Sequence, residues 1–351
     1  MTDYLVVGVG LAGISFCETL ETNGKTFQVI SDASQQSSVV AGGLYNPVIL
    51  KRFTLAWRAD EQLEMALPFY RALEDKLKIT LDYKLRVLRR FASVEEQNMW
   101  FEAADNPKLQ PFLATKLLKN TNPQINAPLG YGEVLHTGRI DTKALIQSYS
   151  KYLSEKKLLV EASFDYDQLT IEDSFISYQG IKAKQLVFAM GYGSQQNPYF
   201  NYLPLNGTKG ELLTIRAPLL KEKQVIKSSV FIIPLGDDLY RIGATYKWQD
   251  KTNLPTAAAK SELLEKLATF MTCDYEVVHH VAGIRPTVAD RRPLVGRHPE
   301  HKNLFILNGF GSRGVLIAPF ASKALYNAIE NGTELPKDLD IGRFQKRYKR
   351  L

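Results

Sequence analysis

Residues 4–13 read Tyr-Leu-Val-Val-Gly-Val-Gly-Leu-Ala-Gly, and the fold is read outward from them. Tyr4 to Val7 is an unbroken apolar run, the pattern of a strand covered on both faces in a parallel sheet. Gly8, Gly10 and Gly13 then stand in G-x-G-x-x-G spacing, opening a stretch in which Ile14, Cys17 and Leu20 recur at helical intervals. Asn23-Gly24 is a helix stop, and Phe27, Val29 and Ile30 make a second strand ending at Ser31-Asp32. In such a unit the first glycine permits the tight turn. The second lets backbone approach a pyrophosphate, and the third lets the helix pack on the strand. The helix start presents unpaired N–H groups and the positive end of its dipole to phosphates. A bound dinucleotide is therefore expected. Asp32 lies 19 residues past Gly13, about where an acid meets the ribose hydroxyls, while Ser31 holds the strand-end position where that acid commonly sits. Either residue can make the ribose contact.

Farther out, residues 59–77, 93–104, 141–156 and 256–271 carry helical patterning. Residues 158–188 contain short strands closing on Leu186-Val187-Phe188-Ala189, and 209–216 and 225–246 alternate like antiparallel strands, with another strand at 275–282. Four prolines between 106 and 130 predict irregular chain. The sequence closes with a strand at 304–307, the turn Gly309-Phe310-Gly311-Ser312-Arg313-Gly314 and a helix from about 317 to 331. A second glycine turn ahead of a helix can bring N–H groups to another part of a long cofactor, which favours FAD over a nicotinamide nucleotide. The order suggests an α/β domain interrupted by another.

The composition, 45% hydrophobic and 23% charged over 351 residues, excludes fibrous and disordered classes and predicts two domains. No apolar run is long enough for a membrane span, and the start lacks the basic region of a secretory signal, so a cytoplasmic protein is expected. The net charge of +7 is concentrated at the end: residues 343–351, RFQKRYKRL, hold five basic residues and no acid, leaving +2 on residues 1–342. Such a tail is a solvated end or an arm for phosphates. No pair among the five histidines has metal-ligand spacing, so no metal is expected. Tyr45, Tyr240 and Tyr246 are candidate site hydroxyls or core residues, and Lys209 and Glu211 a candidate structural pair. Pro286 holds Arg285 in extended backbone. A guanidinium there can grip a carboxylate through two parallel hydrogen bonds, unless it pairs with Asp290.

Several segments, taken in order and spacing, resemble the D-amino-acid oxidase family of FAD-dependent oxidoreductases. They are Gly8–Gly13, Ala41-Gly42-Gly43-Leu44, Lys209-Gly210-Glu211, Ile242-Gly243-Ala244-Thr245, Gly283-Ile284-Arg285-Pro286, Asp290–Gly296 and Gly309–Pro319. Val295–Glu300 and Leu316–Pro319 are similar to its glycine-oxidase branch. Gly311-Ser312-Arg313-Gly314 and the basic tail are similar to the oxidase domain of the bifunctional enzyme that modifies the tRNA wobble uridine, without its methyltransferase half. The resemblance implies a Rossmann-like FAD-binding domain (1–50, 136–205 and 283–351) interrupted by an α+β substrate domain (51–135 and 206–282) with a mostly antiparallel sheet. It implies that Leu11 and Ala12 meet the pyrophosphate and Ser31 and Asp32 the ribose. A strand at 164–166, with Tyr166, would cradle the adenine, and Gly191 would lie near the adenosine half. Ala41 to Leu44 would run along the flavin, while Gly311, Ser312, Arg313, Gly314 and Val315 close on its carbonyl end. Arg285 would bind the substrate carboxylate, with Arg313 and Tyr246 beside it. Neither Cys17 nor Cys273 is placed to bond a flavin, so FAD is expected to be non-covalent. The implied reaction is oxidation of the C–N bond of a small amine or amino acid, with oxygen as acceptor. The alternative is oxidation of a carboxymethylaminomethyl group on tRNA.

Overall fold

The N-terminal apolar run becomes strand Thr2–Val7, the centre of an eight-stranded sheet, with Tyr4, Leu5 and Val6 wholly buried. The computed structural model describes residues 1–349; Arg350 and Leu351 of the basic tail lie outside them. Phe27–Ser31 and Leu159–Glu161 extend the sheet in parallel on one side, and Ile181–Phe188 and Leu304–Asn308 on the other. Leu294–Arg297, Ile176–Tyr178 and Leu169–Ile171 add antiparallel margins. Helices Leu11–Thr22 and Gly314–Glu330 pack against each other beside these strands. Strand Thr2–Val7 therefore has neighbours reached by crossovers on both sides. That is the switch point at which α/β sheets open a crevice beyond their carboxyl ends.

A seven-stranded sheet faces this crevice. Its spatial order is Glu276–Arg285, Thr208–Arg216, Leu239–Gly243, Phe231–Gly236, Val225–Lys227, Val87–Arg90, Tyr131–Val134. Every pairing is antiparallel except Val225–Lys227 with Val87–Arg90. Leu213, Ile242, Ile232 and Ile226 lie in register and pack on Leu263 and Leu267 of helix Ala257–Ala268. Side chains alternate along a strand, so the intervening row, Leu212, Gly243, Phe231 and Lys227, faces the crevice.

Three expectations change. The last long helix begins at Gly314, three residues before the expected start: Val315 and Leu316 are already buried in its first turn, and the Tyr70 hydroxyl donates to the Val315 carbonyl at 2.8 Å. Residues 164–166 are not a strand: Tyr166–Gln168 is a 3-10 turn capped by Asp165, whose carboxylate accepts from Asp167 N at 3.0 Å. The basic tail is anchored rather than free. Arg343 donates to Asp290 at 2.9 Å and to the carbonyls of Leu339, Asp340 and Pro293 at 2.8 Å each, while Tyr348 packs edge-on to Tyr202. Lys346, Arg347 and Lys349 stay exposed. Among the described residues no helix is long and apolar enough to cross a membrane.

Candidate functional site

A cavity of about 1100 Å³ runs from the carboxyl edge of the first sheet to the inner face of the second. Ligand pockets usually hold roughly 300–1,000 Å³, so this one suits an extended ligand.

At the first sheet the three glycines divide their work. Gly8 has φ +108°, and a Cβ there would stand 2.6 Å from the Ala189 carbonyl oxygen. A Cβ on Gly13 would stand 1.9 Å from the Gly8 oxygen, so Gly13 sits behind the turn and sets how closely helix meets strand. Gly10 is different: its Cβ would meet only Ser38 Oγ, at 3.5 Å. The protein leaves room there, and Gly8, Gly10, Leu11 and Ala12 all line the cavity. Helix Leu11–Thr22 has no cap from its N-cap residue and no acid in its first turn; Leu11 N makes only a long bond, 3.5 Å, to Ser38 Oγ, so no charge opposes its dipole there. These features fit a pyrophosphate.

Ser31 and Asp32 line the same end. Burial works against an ionised Asp32, but hydrogen bonds from Ser163 Oγ (2.7 Å) and Ser34 N (2.9 Å) outweigh it and hold its pKa below the ordinary value. Ser31 Oγ accepts from Ala33 N at 3.4 Å. Tyr166 and Gly191 close this end; the Tyr166 hydroxyl lies 3.4 Å from Met190 Sδ, and burial pushes its pKa up to about 12. The Gly191 carbonyl accepts from Asn308 Nδ2 at 2.7 Å. Ala41, Gly42, Gly43 and Leu44 form one long wall, and Gly311, Ser312, Gly314 and Val315 stand at the start of helix Gly314–Glu330.

Two arginines also line the cavity. Arg313 precedes that helix and donates to the Asn46 carbonyl, and burial pushes its pKa down to about 10. Arg285 ends its strand, donates from Nη1 to the Thr245 carbonyl at 3.2 Å, and holds its guanidinium carbon 4.3 Å from the Tyr246 ring centre. Burial lowers its pKa too, with Tyr246 acting in the opposite direction. Neither arginine has a carboxylate partner among the described residues, and Asp290, the alternative partner of Arg285, is taken by Arg343. Asp32 and Glu161, the carboxylates among the described lining residues, stand on or just beyond the first-sheet strands. Two desolvated cations without counter-ions are costly, which points to an anion delivered by a ligand.

Arg285 can lie where it does because residue 210 has no side chain: a Cβ there would fall 2.1 Å from Arg285 Nη2. Gly210→Ala is therefore expected to displace the guanidinium and weaken binding of carboxylate inhibitors about as much as loss of Arg285 itself, by roughly 10-fold or more. Calorimetric titration of the folded variant checks this; unchanged affinity would show that Arg285 does not hold the carboxylate.

Of the three tyrosines, Tyr246 lines the cavity and is 52% exposed. Tyr45 is buried with its hydroxyl on Asp82 at 2.9 Å, and Tyr240 belongs to the core behind the second sheet. Lys227, Phe231 and Asn46 line the site but were not singled out from the sequence. The stretch 225–233 carries apolar residues at both alternating positions, so the sequence alone does not mark the face on which Lys227 and Phe231 stand.

The model of the DAO family, FAD dependent oxidoreductase, matches residues 3–328. Glycine oxidase of Geobacillus kaustophilus is 32% identical over 127 residues, which cover 35% of this chain and 33% of that protein. The tRNA 5-methylaminomethyl-2-thiouridine biosynthesis bifunctional protein MnmC of Shewanella halifaxensis is 28% identical over 198 residues, covering 45% of this chain and 30% of that protein. The matched stretches thus span about a third of each relative. The crystal structure of glycine oxidase from Geobacillus kaustophilus superposes with a TM-score of 0.78 at 18% identity, covering 98% of this chain and 97% of that one.

Proposed function

The chain belongs to the DAO family of FAD dependent oxidoreductases, and from that premise we propose that it oxidises the C–N bond of a small amine carrying a carboxylate. The observation that carries this is the pair of guanidiniums without a carboxylate partner among the described residues, Arg285 and Arg313, which donate to backbone carbonyls and line the same cavity as the phosphate-type turn. FAD supplies a two-electron acceptor when bound, with oxygen as the final oxidant. The residues expected to hold it are Gly10, Leu11 and Ala12 at the pyrophosphate, Asp32 and Ser31 at the ribose, and Tyr166 and Gly191 at the adenosine half. The walls Ala41–Leu44 and Gly311–Val315 would hold the flavin. Residues 1–50, 136–205 and 283–351 then act as the FAD-binding domain, and 51–135 and 206–282 as the substrate domain.

In this reading Arg285 fixes the carboxylate in a two-point grip, and Tyr246 covers the guanidinium from the open side. Arg313 and the helix start beside it place positive potential where negative charge grows. No histidine lines the cavity among the described residues, and its carboxylates, Asp32 and Glu161, stand at the first sheet, which suits a substrate amine that arrives neutral and needs no side-chain base. The α-carbon gives up two electrons and a proton, and the nitrogen gives up a second proton; water then cleaves the resulting imine to a carbonyl compound and the free amine.

Neither a cysteine nor a histidine lines the cavity among the described residues, and Cys17 lies in the core, its pKa raised by burial. This supports non-covalent FAD. Purified protein should be yellow and release free FAD into the supernatant on acid denaturation. Colour retained in the pellet would sink the non-covalent binding, and a colourless protein that takes up no FAD would sink the cofactor assignment.

The second reading, a tRNA-borne substrate, draws on the exposed cluster Lys346, Arg347 and Lys349. Each phosphate contact contributes about −0.9 to the slope of log K against log salt for a duplex, so replacing all three by Gln should flatten that slope by up to about 2.7. tRNA binding across a salt series, with and without the three substitutions, decides it. Absence of micromolar, salt-sensitive binding (roughly −8 kcal/mol) leaves the small substrate.

A further inference from the structure

Lys227 is not used by the reaction above, yet it faces the same cavity. It pairs in register with Phe231, which pairs with Gly243, which pairs with Leu212, which pairs with Val281. Arg285 is four residues beyond Val281 on the same strand, and alternation therefore puts Lys227 and Arg285 on one face of the sheet. The ammonium lies 4.5 Å from the Phe231 ring centre and has no ion pair among the described residues. The carboxylate that acts on it, Glu96, is already engaged by Arg89 at 2.7 Å. Arg89, paired with Lys227 on the adjacent strand, adds like charge.

We infer that Lys227 is a second anion subsite on the substrate wall, so that the substrate is an extended amine with a carboxylate at Arg285 and another oxyanion, carboxylate or phosphate, on the order of 10 Å away. The inference rests on the carboxylate grip proposed for Arg285. The spacing follows from the lattice of the sheet: four strand intervals and four residues separate the two Cα atoms by roughly 23 Å, and two long side chains shorten the gap between charged ends to about half of that. Burial, then repulsion from Arg89 and Lys266, against an opposing pull from Glu96, pushes the Lys227 pKa down to about 8. An arriving oxyanion supplies the missing counter-charge. A substrate with one carboxylate leaves that lysine unused.

The test is calorimetric titration of the FAD-loaded protein with straight-chain α,ω-dicarboxylates of increasing length, each compared with the monocarboxylate of the same length. At lengths that span the two cations, the diacid should bind at least about 10-fold more tightly than the monoacid. Lys227→Met should bring that ratio to about 1. In the unmodified protein the ratio should fall above about pH 8, since only the protonated lysine holds an anion, whereas Lys227→Arg should keep it. The pH series stands in if Lys227→Met does not fold. Chains ending in a phosphonate distinguish the two oxyanions: a larger gain with phosphonate assigns phosphate, and a larger gain with carboxylate assigns a second carboxylate. A ratio near 1 at every length, or one that survives in Lys227→Met, overturns the subsite. Loss of the carboxylate grip is read separately, as unchanged monoacid affinity in Arg285→Ala.

Discussion

Arg285→Ala should weaken binding of a carboxylate-bearing substrate or inhibitor by roughly 10- to 150-fold while FAD stays bound, the range for losing hydrogen bonds to a charged group. The expected cost is large because the site offers few substitutes. The guanidinium is packed under Tyr246 at 4.3 Å, over Gly210, with the Thr245 carbonyl as its one hydrogen-bond acceptor within the described chain. Arg285→Lys should recover only part of the loss, because an ammonium lacks the planar fork and cannot fill the space over Gly210 in the same way. The readout is the substrate dependence of flavin bleaching without oxygen, set beside the FAD content of the variant. An alanine variant with native substrate dependence would make Arg285 a structural residue.

Lys209→Met should cost about 3–5 kcal/mol of stability, the range for breaking a buried ion pair by removing one partner. Lys209 is fully buried. Its ammonium reaches Asp250 Oδ2 and the Leu254 carbonyl at 2.5 Å each, Thr252 Oγ1 at 3.3 Å and Glu211 at 3.6 Å. Glu211 is buried beside it and accepts from Thr256 N at 2.7 Å and Oγ1 at 2.9 Å. The ammonium thus ties the segment that follows Tyr246 to strand Thr208–Arg216. Without it, the ionisable group left within 4 Å of the Glu211 carboxylate is His280, 3.0 Å away, whose pKa burial lowers so that it is a poor replacement cation. The stranded carboxylate is the source of the cost, so Lys209→Met/Glu211→Gln should recover part of it. Urea unfolding monitored by fluorescence measures both variants. A loss under about 1 kcal/mol for the single change would show that water reaches Glu211 and that the pair is ordinary surface chemistry.

Local rules carried the sequence a long way here. The first strand, the glycine turn and the first helix were legible because chain sterics and helix geometry act within a few residues of each other, as in Gly13 meeting Gly8. The FAD-family assignment followed from motifs in order, and Arg285 and Arg313 stood out within short glycine- and proline-marked segments. Other features depend on segments distant in the chain. Asp290 sits five residues from Arg285 yet pairs with Arg343, since the tail returns to the edge of the first sheet and supplies a closer guanidinium. The same return turns part of a run of basic residues into a packed anchor. Tyr240 and Tyr246 looked alike in sequence; the second sheet puts one in the core behind it and the other over the cavity. Lys227 belongs to the cavity only because four strand registers compose across the sheet, and a periodicity read along one strand cannot state which of its faces will be covered by helix and which by ligand.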